Sequence, residues 1–504
     1  MPSDTNGYDY VIVGAGTAGS VIAARLTEVD TARVLLLEAG AATPPPASAH
    51  PPQWPTLLHS AANWGGMTTV QTGTGTTPLI GRGRVVGGSS TINGMVFARG
   101  HRDGYADWAA SGAKSWTFDD LLPYFKRSET AAHGDPTLRG MRGPIVVAPS
   151  DPPNDVLTAL LDGAVQRGYR RAVDVSGGLE LGFGPVDLTI VDGKRYSAAD
   201  GYLADAQTRP NLDVVTDALT HRVIVENGRA VGVQYGIGGD TVVVAAGEVI
   251  LCAGAIGSPQ LLMLSGIGPR AHLHDIAIDV VADLPGVGSN LQDHPLTGVI
   301  YRAAQPVPEA QRNHGEILGL IRSAAATSSA PDLQLIFVDT AAVTGVDIPN
   351  SYLIGVSAMQ PHSRGSVRLA GCAPDLLPLV DPNYFGDDRD MATMLEGFRI
   401  ARDIGTAPAL DTWRAEELAP GPDATGEQAL RAFIKASVSS YFHPVGTCAI
   451  GDTAWSVVDS DLRVHGISGL RVADASVMPT LSANNTLATV YAIAERAADL
   501  IRHG

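Results

Sequence analysis

The chain has 504 residues, 45% of them hydrophobic and 17% charged, the balance of a globular protein with room for two or three domains and a large core. A net charge of -17 argues against nucleic acid as a partner, since phosphate binding needs clustered Lys and Arg, and disfavours a polybasic membrane contact. No apolar run is long enough to span a membrane. Three widely spaced cysteines (Cys252, Cys372, Cys448) make neither a disulfide framework nor a thiolate metal site, and the opening MPSDTNGYDY has no leader pattern. The expectation is a soluble cytoplasmic protein without metal.

In chain order, the first predicted element is a strand, Tyr8–Val13, followed by a turn with Gly14, Gly16 and Gly19, a helix over 18–26 and a buried strand over 34–40. This order predicts a βαβ unit on a parallel sheet. In G-x-G-x-x-G placed between strand and helix, glycine serves the tight turn, the approach of a pyrophosphate and helix–sheet packing. The helix N-terminus then offers N–H groups to the phosphates. Glu38, at the end of the second strand, can accept hydrogen bonds from ribose hydroxyls, which points to a dinucleotide without a 2′-phosphate. The motif alone leaves FAD and NAD open.

Residues 42–52 are too proline-rich for regular structure and read as a loop. A second glycine-rich segment covers 81–94. From about residue 143 strands and helices mix, and 212–218 leads into a predicted hairpin, HRVIVENGRAVGVQYG. A continuous apolar strand over 248–256 and a helix over 258–266 come next. A second domain is expected after Pro295, with a soft Ala/Ser-rich segment at 323–332. Residues 470–480 read as a strand running into a loop, and 487–502 as a closing amphipathic helix. The turns at Gly254 and Asp474 look like the additional flavin-contacting turns of FAD proteins with this dinucleotide fold. Asp474 is placed to bind ribityl hydroxyls there; its other reading is a turn cap.

Six segments in order, GRVVGGSSTINGM (83–95), GAIGSPQLLMLSGIG (254–268), LPGVGSNLQDHP (284–295), SRGSVRL (363–369), YFHPVGTCAIG (441–451) and VADASVMPT (472–480), resemble the glucose–methanol–choline (GMC) oxidoreductases. The likeness is strongest to the choline-dehydrogenase-like and hydroxymethylfurfural-oxidase-like branch. It implies an α/β fold: a Rossmann-like FAD domain with a parallel sheet, assembled from 1–145, 196–295 and 455–504, and an α+β substrate domain with an antiparallel sheet, from 146–195 and 296–454. It implies that Gly87, Gly88, Ser90 and Asn93 line the flavin and pyrophosphate, and that the Val223 backbone meets the adenine. Further implied FAD contacts are Thr17, Ala18, Ala39, Val85, Gly94, Val96, Ala253, Gly254, Asp474, Ala475, Asn485 and Thr486. Some relatives attach flavin through a histidine after the Ser-Ser pair. Thr91 stands there, so noncovalent FAD is expected.

Oxidising an alcohol requires a base for the hydroxyl proton, and histidine titrates in the right range. By the resemblance of HPVGT to the family's catalytic motif, His443 is that base; His294, His362 and His465 are not expected near the reaction. Asn485 matches the place of a second active-site residue whose amide can donate to a developing alkoxide; its other reading is an N-cap of the last helix. The expected activity is FAD-dependent oxidation of a small-molecule alcohol to an aldehyde or ketone, with oxygen or another acceptor taking the electrons. The alternative is a lyase of the same fold that keeps its flavin out of redox chemistry.

Overall fold

The structure, a computed structural model, describes residues 7–346 and 348–503. The reading of the opening residues as leaderless therefore rests on positions 1–6, outside the described residues. Strands β1 (Tyr8–Val13) and β2 (Val34–Leu37) are parallel neighbours joined by α1 (Thr17–Leu26), whose Val21, Ile22 and Leu26 are buried against them. β2 stops at Leu37 rather than at residue 40. The Glu38 carboxylate folds back to accept the N–H groups of Ala15 and Gly40, at 2.9 and 2.8 Å, and so ends the extended run. The predicted loop over 42–52 carries two 3-10 turns, Pro46–Ala49 and Pro51–Gln53, each begun by a proline whose fixed φ suits the first helical position.

β3 (Leu212–Val215) pairs parallel with the outer side of β2. β4 (Leu219–Glu226) and β5 (Arg229–Ile237) are the expected hairpin, turning on Asn227 and Gly228 at φ of 49° and 75°. β6 (Asp240–Leu251) belongs to both halves of this sheet. Its first six residues pair antiparallel with β5, and Ala246 to Leu251 run parallel to β1. The strand ends at Leu251, before the expected 256, because Gly254 at φ 77° turns the chain into α2 (Gly254–Leu264). Pro259 within α2 cannot donate to the Ala255 carbonyl, and Thr447 Oγ1 donates to it instead at 2.5 Å.

The second sheet is antiparallel. β7 (Pro295–Ala303), β8 (Ile317–Ile321), β9 (Leu333–Val338) and β10 (Ser351–Ala358) pair in the order β7–β10–β9–β8, with Gly182–Pro185 beside β8. Helix α3 (Asp388–Gly405) covers one face with Met391, Met394, Leu395 and Phe398. β11 (Arg414–Ala419) and the short strand Ser439–Ser440 both pair with β7. The chain then returns: β12 (Leu470–Val472) lies parallel to the end of β6, and α4 (Leu487–His503), the predicted last helix, packs on α1. There the fully buried Glu495 accepts hydrogen bonds from Arg25, Arg127 and Tyr202 at 2.5–2.9 Å, so its charge is paired. Among the described residues no helix is long and apolar enough to cross a membrane.

Candidate active site

Because β1 and β6 end side by side, α1 and α2 start side by side, and a cavity of about 1160 Å³ opens at that carboxyl end of the sheet. Its first half is backbone. A Cβ on Gly14, at φ 102°, would lie 2.6 Å from the Cys252 carbonyl, and one on Gly88, at φ 56°, would lie 2.6 Å from the Gly16 Cα. These contacts close the floor tightly and leave room above it only for a ligand. α1 starts at Gly16 without a side-chain cap, so its first N–H groups are free for phosphate. A closely approached glycine floor, an uncapped helix start and the Glu38 carboxylate fit the pyrophosphate and ribose of FAD.

The expected residues Gly16, Thr17, Ala18, Glu38 and Ala39 line this half, together with Gly88, Asn93, Gly94 and Val96 from the second glycine-rich segment. Ala253, Gly254, Asp474, Ala475, Asn485 and Thr486 line it from the other side. Four expected contacts do not reach the cavity wall. Val85 and Gly87 lie below it, with the Gly87 N–H given to the Ala15 carbonyl at 2.8 Å. Ser90 Oγ donates to the Gly87 carbonyl at 2.6 Å and accepts the Ala198 N–H, so it shapes the loop. Val223 donates its N–H to Ser265 Oγ at 2.8 Å, and Leu219 and Thr220 stand at the wall in its place. Asp474 does line the cavity, but its carboxylate accepts from Gly254 N, Ser258 Oγ and Ser476 N. Its cap reading is the one its hydrogen bonds realise, and it ties the end of β12 to the start of α2.

Burial pushes the Glu38 carboxyl up to about 7, outweighing the two N–H groups that favour its charge. A carboxyl raised above its unfolded value contributes stability that is present below about 4.5 and is lost as pH rises through about 7. Melting temperatures of FAD-stripped protein should therefore fall over that window, and Glu38→Gln should reduce the fall. Equal pH slopes in the two proteins would show that Glu38 is not the group responsible.

The second half of the cavity holds the predicted chemistry, and it contains a histidine that no sequence motif placed there. His443 and Asn485 meet there, with His443 Nε2 3.3 Å from Asn485 Nδ2. His294, which no motif placed near the reaction, has its Nδ1 2.9 Å from His443 Nδ1 and its Nε2 3.1 Å from the Met359 carbonyl. Only one assignment of protons satisfies all three contacts with neutral rings. The Met359 carbonyl can only accept, so His294 carries its proton on Nε2 and offers a lone pair at Nδ1. His443 must then donate from Nδ1, which leaves the lone pair of its Nε2 toward the cavity and the Asn485 amide. Burial holds His294 down at about 3, and burial with the neighbouring His294 holds His443 well below the usual histidine range.

Both histidines hang from one carboxylate. Asp293 Oδ1 accepts the backbone N–H groups of His294 and His443, each at 2.9 Å, and Oδ2 accepts from Tyr384 and Ser440. The pairing of Pro295 with Ser440 brings the two segments together. Phe442, just before His443, has φ of 63°, and Ala483, two before Asn485, has φ of 58°, a conformation costly for residues with a Cβ and concentrated at functional sites. Asn485 does not cap α4: its Oδ1 accepts from Gln334 Nε2 at 3.2 Å, which turns its amide nitrogen to His443. The fully buried Asn484 donates to the Arg99 carbonyl, and its Oδ1 shares the Gln334 Nε2 donor at 2.9 Å. His362 is exposed and His465 bonds the Gly451 carbonyl, so neither belongs here. Among the described residues no cluster fit for a metal exists.

Two family profiles, both described as GMC oxidoreductase, match residues 8–296 and 361–494. The chain is 39% identical to an oxygen-dependent choline dehydrogenase of Burkholderia multivorans, over 99% of this chain and 94% of that one. A protein of the same description from Serratia proteamaculans is also 39% identical, over 98% and 96%. Among solved structures, pyridoxine 4-oxidase from Mesorbium loti superposes with a TM-score of 0.94 at 34% identity, covering 99% of both chains. Formate oxidase from Aspergillus oryzae RIB40 gives 0.91 at 27% identity, again over 99% of both. None of these is named a lyase. With both profiles matched and full-length relatives of this similarity, the chain belongs to the GMC oxidoreductase family, FAD-dependent enzymes acting on CH–OH donors.

Proposed function

We propose that this enzyme oxidises a small-molecule alcohol with His443 Nε2 taking the hydroxyl proton and Asn485 Nδ2 donating to the alcohol oxygen. The observation that supports it best is the proton wiring from the Met359 carbonyl through His294 to His443, which leaves a lone pair and an amide N–H 3.3 Å apart at the cavity wall. A hydroxyl group entering there replaces their mutual contact: its O–H points to Nε2 and its oxygen accepts from the amide. As charge develops on that oxygen the amide bond strengthens, which favours the transition state over the bound alcohol. His294 orients the imidazole, and Asp293 fixes both backbones so that neither ring has to reorganise. Apolar walls exclude water from the nascent alkoxide. FAD, when bound, supplies the hydride acceptor.

The flavin is held noncovalently in this reading, because Thr91 has no nucleophilic nitrogen and its hydroxyl donates to the Val86 carbonyl at 2.8 Å. Oxygen or another acceptor restores the cofactor. The two sheets support a discontinuous FAD domain (1–145, 196–295, 455–504) and a substrate domain (146–195, 296–454), and the acidic composition with unpaired cysteines suits a cytoplasmic location. Mixing the yellow protein with alcohols without oxygen should bleach its flavin absorbance, and acid precipitation should leave the flavin in the supernatant. Absence of bleaching by every alcohol in a broad panel would refute the activity; flavin that follows the precipitate would refute the noncovalent attachment alone.

A further inference from the structure

The wall opposite the cofactor half is the face of the antiparallel sheet, and its register sorts it into three rows. Directly opposed residues share a face, so Leu296, Ser357 and Gln334 form one row, Gly298, Gly355 and Ile336 the next, and Ile300, Leu353 and Val338 the third. The first row is where Gln334 holds Asn485. Beyond it the surface becomes wholly apolar. Ile300, Ile336, Val338 and Leu353 pack into one small cluster with Leu296 and Tyr441, and all six line the cavity. The glycines keep the middle row low: a Cβ on Gly355 would lie 2.7 Å from Ile336 Cγ2, so Ile336 lies across it.

No carboxylate serves this wall among the described residues. Of the acids that line the cavity, Glu38 and Asp474 belong to the cofactor half, and Asp375 sits on a loop held to α2 by Gln260 Nε2 at 2.9 Å from the Leu376 carbonyl. Asp293 lies behind the histidines, 3% exposed, with both oxygens already accepting two hydrogen bonds. A cationic alcohol would lose its water here and, among the described residues, meet no opposite charge. Aromatic faces such as Tyr441 and Phe433 attract a cation only weakly beside that desolvation cost.

We infer that the substrate is an uncharged alcohol with a compact apolar body, seated on Ile300, Ile336, Val338 and Leu353, and that a quaternary ammonium alcohol such as choline is a poor one. This rests on alcohol oxidation at His443 as proposed above. It separates the enzyme from the choline dehydrogenases that it resembles in sequence.

The decisive comparison is choline against 3,3-dimethylbutan-1-ol, its neutral isostere, with the FAD-loaded wild-type enzyme and flavin reduction followed without oxygen. The reduction efficiency should be at least about 100-fold higher for the neutral alcohol, the size expected when a charge is buried without a partner. Ile336→Asp should then move the ratio toward choline by about 10-fold or more, while the uncharged Ile336→Asn should not, each rate taken per bound FAD. Choline reducing the wild-type flavin as efficiently as its isostere overturns the inference and leaves alcohol oxidation standing. No reduction by either compound, nor by any alcohol of the broad panel, overturns both. A choline ratio unmoved in an Ile336→Asp protein that still holds FAD removes this wall from the substrate site.

Discussion

His443→Ala should retain FAD and slow flavin reduction by alcohol roughly 10²–10⁴-fold, the range for removing a general base. The side chain lines the cavity but makes no contact on which the glycine floor or Glu38 depends, so cofactor content should stay near that of the parent. The same geometry sets the pH dependence of the parent enzyme. With its pKa well below the usual range, His443 is neutral throughout neutral pH. Protonation removes the Nε2 lone pair, so the reduction rate should be level from about pH 6.5 upward and fall only in acid. Stopped-flow absorbance without oxygen isolates this step from reoxidation. A variant reduced at the parental rate would show that the proton leaves by another route.

Asn485→Asp should be almost as damaging, losing about 10²–10³ in the reduction rate, the range for an oxyanion donor. The substitution keeps the acceptor that Gln334 needs but replaces the amide N–H with a carboxylate oxygen facing His443 Nε2. A negative acceptor there draws a proton onto Nε2, so the base loses its lone pair while the alkoxide loses its donor. Asn485→Ala should show the smaller of the two losses, since it removes the donor without adding charge. Because the side chain does not cap α4, neither variant should show the loss of about 0.5–2 kcal/mol that accompanies a deleted cap. Thermal melts read together with single-turnover rates test this. A destabilised protein with its rate intact would return Asn485 to a structural role.

The cofactor half was legible because its logic is local. Gly14, Gly16 and Glu38 lie within 25 residues, and strand, turn and helix leave those positions few alternatives. Strand ends were less so: β2 and β6 both stop short of their apolar runs because a buried carboxylate and a left-handed glycine interrupt them. His294 was out of reach for a different reason. It is 149 residues from His443, and the two are joined by tertiary contacts alone, the pairing of Pro295 with Ser440 and the Asp293 carboxylate shared by both backbones. Two signals were nonetheless present: the Asp293-His294 pair opening a strand, and Gln334 as the single polar residue in the buried run LQLIFV. At Val223, a position carried over by likeness, the N–H is given to Ser265 Oγ, and Leu219 and Thr220 stand at the cavity wall.

The lateness of β12 in the chain has a consequence for biosynthesis. The parallel half of the first sheet is open beside β6 until residues 470–472 exist, and the cavity wall is completed by Asp474, Asn485 and Thr486, with α4 then locking onto α1 through Glu495. At about 5–20 residues per second, the roughly 216 residues between Gly254, where the glycine floor is complete, and the start of β12 take about 10–40 seconds to make, and over that interval the cavity wall is incomplete. A nascent chain stopped before residue 470 has the glycine turn and Glu38 but neither the β12 edge nor the reaction site. The first and last parts of the polypeptide have to meet before FAD finds its whole binding surface, so a fragment ending before Asp474 should retain flavin poorly.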